Sequence, residues 1–291
     1  MKLNIYVLGY KLKFFITRYF PRTIKIFETK RIKKILKANN EIILIHTIGK
    51  VGSNTIQKTI EKSSVDTPLF HTHFLNPQNI EIWKKYYNSS ERRSPPLHMF
   101  TSEVLSEQLK SYSGKIYVIS SMREPISREL SSLFQDLLIF KYVYKDENEN
   151  IEMIMKVVSN KIAELQQELP EEKWFDFEIK KYFKIDVYQE KFDLNKGYST
   201  YQNNNIEMLL IRIEDIKSNL DKGLNELLRP NKKINFDIID ANVADNKFYN
   251  KDYMTIKKDV KVDDLDKILN HKFINHFYFD YKDIINKKWS Q

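Results

Sequence analysis

Four short stretches are apolar and rich in β-branched or aromatic residues: Ile42 to Ile45, Pro68 to Leu75, Lys115 to Ser120 and Met208 to Ile213. That composition suits buried strands. Between them apolar positions recur at helical spacing. Helices are predicted over Asn79–Tyr87 and over Ser102–Tyr112, where Leu105, Leu109 and Tyr112 follow Ser102 as a fair N-cap. Pro125 suits a first helical position, and Leu130, Leu133, Phe134, Leu137 and Leu138 give that helix an apolar stripe. Ile151–Leu169 reads as a helix ending at Pro170, Glu171–Phe183 as another, and a further helix ends near Pro230. The tail, Phe248–Trp289, is predicted helical with aromatic anchors Phe273, Phe277, Tyr278, Phe279, Tyr281 and Trp289. Asn88–Pro96, with Arg92, Arg93 and a proline pair, and Lys145–Asn150 are predicted loops. Strands alternating with helices predict an α/β fold, its central, mostly parallel sheet covered by helices on both faces. Residues 41–291 are expected to form one domain and 1–40 an extension.

In the extension, Tyr6, Leu8, Tyr10, Phe14, Phe15 and Phe20 alternate with Lys11, Lys13, Arg18 and Arg22, and a second basic cluster follows at Lys30, Arg31, Lys33, Lys34 and Lys37. Two readings fit: a basic amphipathic segment on an anionic membrane face, or a helix packed on the domain with a solvated basic side.

Composition narrows the chemistry. The chain has 291 residues, of which 42% are hydrophobic, enough for a sizeable core. A net charge of +9 favours anionic ligands. The charge is spread along the chain rather than gathered with stacking aromatics, so no specific nucleic-acid partner is expected. With no cysteine, disulfides, thiolate metal sites and a Cys nucleophile are excluded, which suits a reducing cytoplasm. No run of about 18 apolar residues is present, so a spanning helix is not expected. The first 20 residues are broken by Lys11, Lys13 and Arg18 and lack the pattern of a signal peptide.

The first strand runs into Gly49-Lys-Val-Gly-Ser-Asn-Thr55 and then a helix. Strand, Gly-containing loop, helix presents backbone N–H groups to an anion. Gly49 and Gly52 permit tight turns, Lys50 supplies a mobile charge, and Ser53 and Thr55 offer hydroxyls. The order is not that of the ATP-binding loop, because Lys50 precedes Gly52. A second strand–turn–helix carries Arg123-Glu-Pro, Arg128 and Ser131, with Arg123 at a strand's C-terminal end, where open α/β sheets bind ligands. In the second predicted strand, alternation puts His71 and His73 on one face and Phe70, Thr72 and Phe74 on the other.

Lys50-Val-Gly-Ser-Asn-Thr55 after a strand resembles the 5′-phosphosulfate loop of sulfotransferases, and Arg123-Glu-Pro…Arg128…Ser131 resembles their 3′-phosphate motif. Met208-Leu-Leu-Ile-Arg-Ile-Glu-Asp215 is similar to a later strand-to-helix turn of that family. Asn286-Lys-Lys-Trp-Ser290 resembles a tail motif of bacterial sulfotransferase-like proteins linked to capsular polysaccharide synthesis. The likeness runs from about Ile42 to Trp289. It departs at Glu124, where aspartate is common.

The resemblance implies a P-loop-like three-layer fold, 3′-phosphoadenosine-5′-phosphosulfate as sulfuryl donor, a carbohydrate acceptor and no metal. It implies that Lys50, Val51, Gly52, Ser53, Asn54 and Thr55 cradle the 5′ end, that Arg123 and Ser131 hold the 3′-phosphate, and that Lys50 stabilises the sulfuryl group in transit. Animal sugar 2-O-sulfotransferases carry a similar His-x-His whose second histidine is the base. That implies His73 as base here, with His71 as the alternative or as a sugar-binding partner. Glu103 is a second-choice base, and His46 reads as structural. His98, His271 and His276 give no pattern, and a metal on the His-x-His lacks a third ligand.

Two other classes remain. A phosphotransferase would need magnesium ligands, for which Glu214 and Asp215 are placed after a strand. A non-enzymatic basic surface-binding protein would use the net charge alone. The expected location is the cytoplasm, or the inner face of the membrane if residues 1–40 touch lipid.

Overall fold

The first predicted strand is β1, Glu41–His46, inside a five-stranded sheet of order β2-β1-β3-β5-β4. The computed structural model describes residues 9, 12, 14–89, 94–144, 151–230, 233–240 and 250–290. Tyr6, Leu8, Tyr10, Lys11 and Lys13, the Arg92–Arg93 stretch, Lys145–Asn150 and Phe248 lie outside them.

β2 (Leu69–Thr72), β3 (Lys115–Met122) and β5 (Ile206–Arg212) run parallel through β1, and β4 (Tyr198–Asn203) pairs antiparallel with β5 at the edge. Ile42 and Leu44 enter one apolar cluster while Ile43 and Ile45 enter the other. Burial on both faces explains why β1 reads as a continuous apolar run instead of alternating. The architecture is therefore α/β with a mostly parallel sheet between helical layers.

On one face lie α2 (Ser53–Lys62), through Ile56 and Ile60, and α8 (Ile216–Leu228), through Ile216, Leu220, Leu224 and Leu227. The other face carries α1 (Pro21–Ala38), α4 (Leu97–Gln108), α5 (Pro125–Tyr144), α6 (Ile151–Gln167) and α7 (Pro170–Trp174), and behind them α10 (Leu265–Leu269), α11 (Lys272–Phe277) and α12 (Lys282–Trp289). α3 (Pro77–Asn88) follows β2; its cap is Asn76, whose Oδ1 accepts from Gln78 N at 3.0 Å. α9 (Asn250–Asp259) precedes the tail helices.

Three expectations change. Ser102 is not a helix cap. α4 starts at Leu97 after Pro96, and Ser102 is buried in its interior. The helix expected over Glu171–Phe183 is α7 followed by a π-helix, Phe175–Phe183, ended by Lys184 at φ 59°. Buried positions fall at five-residue steps, Glu178–Phe183 within it and Trp174–Ile179 from the last residue of α7, which a wider turn keeps on one side. β4 was not predicted; its Tyr-Ser-Thr-Tyr-Gln-Asn is mostly polar, and only Tyr198 and Tyr201 are buried.

Candidate functional site

The loop after β1 and the turn after β3 meet at the C-terminal edge of the parallel strands. β2 lies on one side of β1 and β3 on the other, so the chain leaves the sheet in opposite directions here. Such a switch point is where open α/β sheets bind ligands. Ser121 Oγ donates to Val51 O at 2.9 Å, and Arg123 Nη1 lies 3.4 Å from Lys50 O. Val51 is fully buried between two left-handed residues, Lys50 (φ 72°) and Gly52 (φ 81°). A Cβ on Gly52 would sit 3.0 Å from Ile213 Cδ1 and 3.1 Å from its Cγ1, so glycine serves both the dihedral and the close approach. Lys50 holds a conformation that a side chain makes costly, a strain that concentrates at ligand sites.

Gly52 also brings no side chain to cap α2. Thr55 N–H turns back to Gly52 O at 2.9 Å, so the first turn of α2 faces the loop with its leading N–H groups uncapped by a side chain. Ser53 is buried beside them, Thr55 is half-buried and Asn54 is exposed.

α5 begins differently. Glu124 is buried and its carboxylate accepts from Ile126 N at 2.8 Å and Ser127 N at 3.1 Å. This helix N-terminus is filled by the protein's own carboxylate. In the sequence Glu124 was only a charge-conserving departure; in the fold it is a cap. Arg123 is half-buried with its guanidinium against the Lys50 loop, and Ser131 sits further along α5, half-buried. Arg128 is buried in ion pairs with Glu171 and with Glu129 (2.6 Å), which makes it structural.

Two cations join Arg123 from the far end of the chain. Lys288 Nζ donates to Ser127 Oγ at 2.5 Å and lies 3.5 Å from Glu124 Oε2. Lys257 on α9 has its pKa lowered by burial and then by the positive charges of Lys288 and Arg123, with Glu124 opposing. Arg123 and Lys288 thus both lie within electrostatic reach of Lys257, with the Glu124 carboxylate among them. Sequence reasoning missed both lysines. Lys288 lies inside the quoted tail, Asn286-Lys-Lys-Trp-Ser290, where its charge was one among many.

The histidines gather next to this loop. His71 is in β2 and His73 just past its end, with ring centroids 5.0 Å apart. His98, near the start of α4, stands edge-on to His73 at 5.0 Å. It was assigned no pattern in the sequence, being separated from the pair by a whole helix and a proline loop. His73 Nδ1 is 2.7 Å from Thr47 O, which fixes the proton on Nδ1 and leaves Nε2 as the basic nitrogen. His71 Nδ1 is 3.0 Å from Gln57 Oε1 on α2, with the same consequence. Burial pushes His73 down to about 4; the Thr47 carbonyl resists, while His46 and the charge of Lys50 add to the depression. Burial likewise takes His71 and His98 down to about 3, with neighbouring histidines adding to it. All three are neutral at pH 7. The contact of His73 with Thr47 O, three residues before Lys50, sets the His-x-His beside the loop.

The turn bearing His73 is clamped from behind by the end of α7 and the π-helix. Trp174 Nε1 donates to His73 O at 2.9 Å. Glu178, fully buried, accepts from Leu75 N (2.7 Å), Asn76 N (2.9 Å) and Asn79 Nδ2 (2.6 Å). His46 lies beneath, 2.8 Å from Thr72 Oγ1 and 3.3 Å from Glu178 Oε2, as a packed member of this scaffold.

The other candidates are engaged elsewhere. Glu103 accepts from Lys25 at 2.7 Å and Lys84 at 2.6 Å; burial raises its pKa, but these two partners outweigh it and hold it below the ordinary value. Glu214 accepts from Tyr278 OH at 2.9 Å and Glu124 N at 3.3 Å, and Asp215 is paired with Arg212 at 2.6 Å. Among the described residues no group of three or more His, Asp or Glu is arranged to hold a metal ion.

A family described as putative capsular polysaccharide synthesis protein (NKWYS) matches residues 143–279. This likeness covers a little under half of the chain, from the end of α5 through α6, the π-helix, β4 and β5 to just past α11. It includes Glu178 and Lys257 and stops short of the Lys50 loop, the histidines, Arg123 and Lys288. It relates the chain to a capsular-polysaccharide family. No curated protein and no solved structure matches.

Proposed function

We propose that this protein transfers a sulfuryl group from 3′-phosphoadenosine-5′-phosphosulfate to a carbohydrate hydroxyl during synthesis of a capsular or surface polysaccharide. The observation that carries the reading is the convergence of Lys50 and His73. One is a cation raised on a strained anion loop. The other is a neutral imidazole within its field, with the tautomer fixed for accepting a proton.

The residues fit the donor. The uncapped first turn of α2, with Ser53, Asn54 and Thr55, suits its 5′-phosphate; Arg123, Lys257 and Lys288, with Ser131 nearby on α5, suit its 3′-phosphate. When bound, the donor supplies an electrophilic sulfur and a nucleotide leaving group. His73 Nε2 takes the proton of the acceptor hydroxyl as the acceptor oxygen bonds to sulfur and the sulfur–phosphate-oxygen bond breaks. Lys50 stabilises the negative charge that develops on the bridging and sulfuryl oxygens. An imidazole at about 4 is weakly basic in the free protein. A polyanion bound beside it favours the imidazolium and raises its proton affinity as the reaction needs. The family match supports a polysaccharide acceptor. The absence of cysteine suits action in the cytoplasm, where a nucleotide donor would be met. A magnesium-dependent phosphotransfer has less support, because Glu214 and Asp215 are committed to Tyr278, Glu124 and Arg212.

The test is transfer of labelled sulfate to capsular oligosaccharides. Wild-type protein is expected to label them. His73→Ala is expected to lose roughly 10²–10⁴-fold in rate, the usual contribution of a general base, while still binding adenosine 3′,5′-bisphosphate. Transfer undiminished in His73→Ala removes that residue from the role, and no labelling by wild type with any capsular acceptor overturns the reading.

A further inference from the structure

Among the described residues near the N-terminus, several large apolar side chains face outward. Leu12, Phe15, Ile16 and Tyr19 are spaced at i, i+3, i+4 and i+7, one stripe of a helix, and are 58%, 51%, 38% and 65% exposed. Phe20, Ile26 and Phe27 continue the surface at 50%, 58% and 74%. Phe15 packs tilted against Tyr19 at 5.0 Å and edge-on to Phe20 at 5.9 Å, so these rings form one patch. A patch of this kind marks an interaction surface.

Along the sequence the charge here has one sign. Residues 1–27 contain no Asp or Glu and carry Lys2, Lys11, Lys13, Arg18 and Arg22, besides Lys25, which is paired with Glu103 and Glu107. The first acid, Glu28, is taken by Arg31 at 2.7 Å and by Thr101 at 2.8 Å. Beyond the apolar patch, α1 exposes Lys30, Lys33, Lys34 and Lys37; Lys30, Lys33 and Lys37 follow Ile26 at steps of four, three and four, down one side. The opposite side of α1 is fixed to the domain by buried Ile32 and by the Lys25–Glu103 pair. The outward face is therefore held in place and already displayed.

We infer that this face docks on an anionic lipid bilayer, its aromatic and aliphatic side chains entering the headgroup boundary while the lysines meet lipid phosphates. A second copy of the chain would bring the same cations against each other. A bilayer brings opposite charge and an apolar phase together. None of the helices in the described residues is long and apolar enough to cross a membrane, so the segment lies on the surface. The inference does not depend on the proposed transferase activity.

The experiment is sedimentation of the full-length protein with vesicles of phosphatidylcholine, alone or with about 30% phosphatidylglycerol. Binding is expected to the mixed vesicles, to weaken steeply with salt, and to be far weaker to phosphatidylcholine alone. The triple variant Lys30→Ala, Lys33→Ala, Lys34→Ala is expected to bind on the order of 100-fold more weakly, about fivefold for each lysine. Phe15→Ser with Phe27→Ser is expected to weaken binding at least tenfold. Because all these side chains are exposed, circular dichroism and urea midpoints stay as in wild type. Equal binding to both vesicle types, or none to either, overturns the inference. So does a wild-type dimer in gel filtration that Phe15→Ser with Phe27→Ser converts to monomer.

Discussion

Replacing Glu178 by alanine removes the acceptor of three hydrogen bonds at a carboxylate with no solvent exposure. Two donors are the backbone N–H groups of Leu75 and Asn76, which have nowhere to turn inside the clamp. Each buried donor left unsatisfied costs about 1–3 kcal/mol, and the emptied volume adds to that. Removing a desolvated carboxylate returns part of this, leaving a net loss of ~3 kcal/mol. Glu178→Gln keeps one amide oxygen for Leu75 N and Asn76 N, and Asn79 can rotate its amide to meet the new donor, so the cost falls to ~1 kcal/mol. Urea denaturation at pH 7 reads both numbers. The alanine variant is also expected to lose transfer beyond its loss of stability, because the turn it frees carries His73. A Glu178→Ala protein within 1 kcal/mol of wild type, or no less stable than Glu178→Gln, would refute the clamp.

The histidine cluster predicts acid sensitivity. His71, His73 and His98 titrate at about 3, 4 and 3 in the fold, against an ordinary value of 6.5. The unfolded chain therefore binds their protons first: the stability is whole above about 6.5 and falls as pH drops from there toward the folded values. At pH 5.5 each group contributes a loss of about 1 kcal/mol. Urea midpoints at pH 7.5 and 5.5 should show the loss, His98→Phe should reduce it, and an identical slope in that variant would count against it. Gly52→Ala is expected to cost ~2 kcal/mol, from a left-handed alanine pressed on Ile213. Gly49→Ala, with open space and no positive φ, is expected to cost under about 1 kcal/mol. Equal melting temperatures for the two variants would contradict the loop geometry.

What the sequence disclosed was local. β1 was legible because burial on both faces leaves an unbroken Ile-Ile-Leu-Ile, and its loop because the glycines and Lys50 follow directly. That His71 and His73 lie together was legible, although the strand expected to Leu75 ends at Thr72 and His73 stands just past it. The rest depends on distant partners. β4 is a polar edge strand whose one cue was the Asn203-Asn-Asn205 corner leading into β5. A π-helix has no period visible among so many aromatics. Glu124 reads as a motif acid until its carboxylate is seen on Ile126 N and Ser127 N. His98, Lys257 and Lys288 join the site by chain return alone, and in a chain with 48 lysines and arginines nothing singles out two of them.

The central claim is that the Lys50 loop and the Arg123 patch together hold a nucleotide with phosphates at both ends. Isothermal titration with adenosine 3′,5′-bisphosphate tests it most directly. Wild-type protein is predicted to bind one equivalent without added metal. Lys50→Ala and Arg123→Ala are each predicted to weaken binding tenfold or more, about 1.5–3 kcal/mol for a charge-assisted contact. A flat titration of folded wild-type protein, or unchanged affinity in both variants, would contradict it.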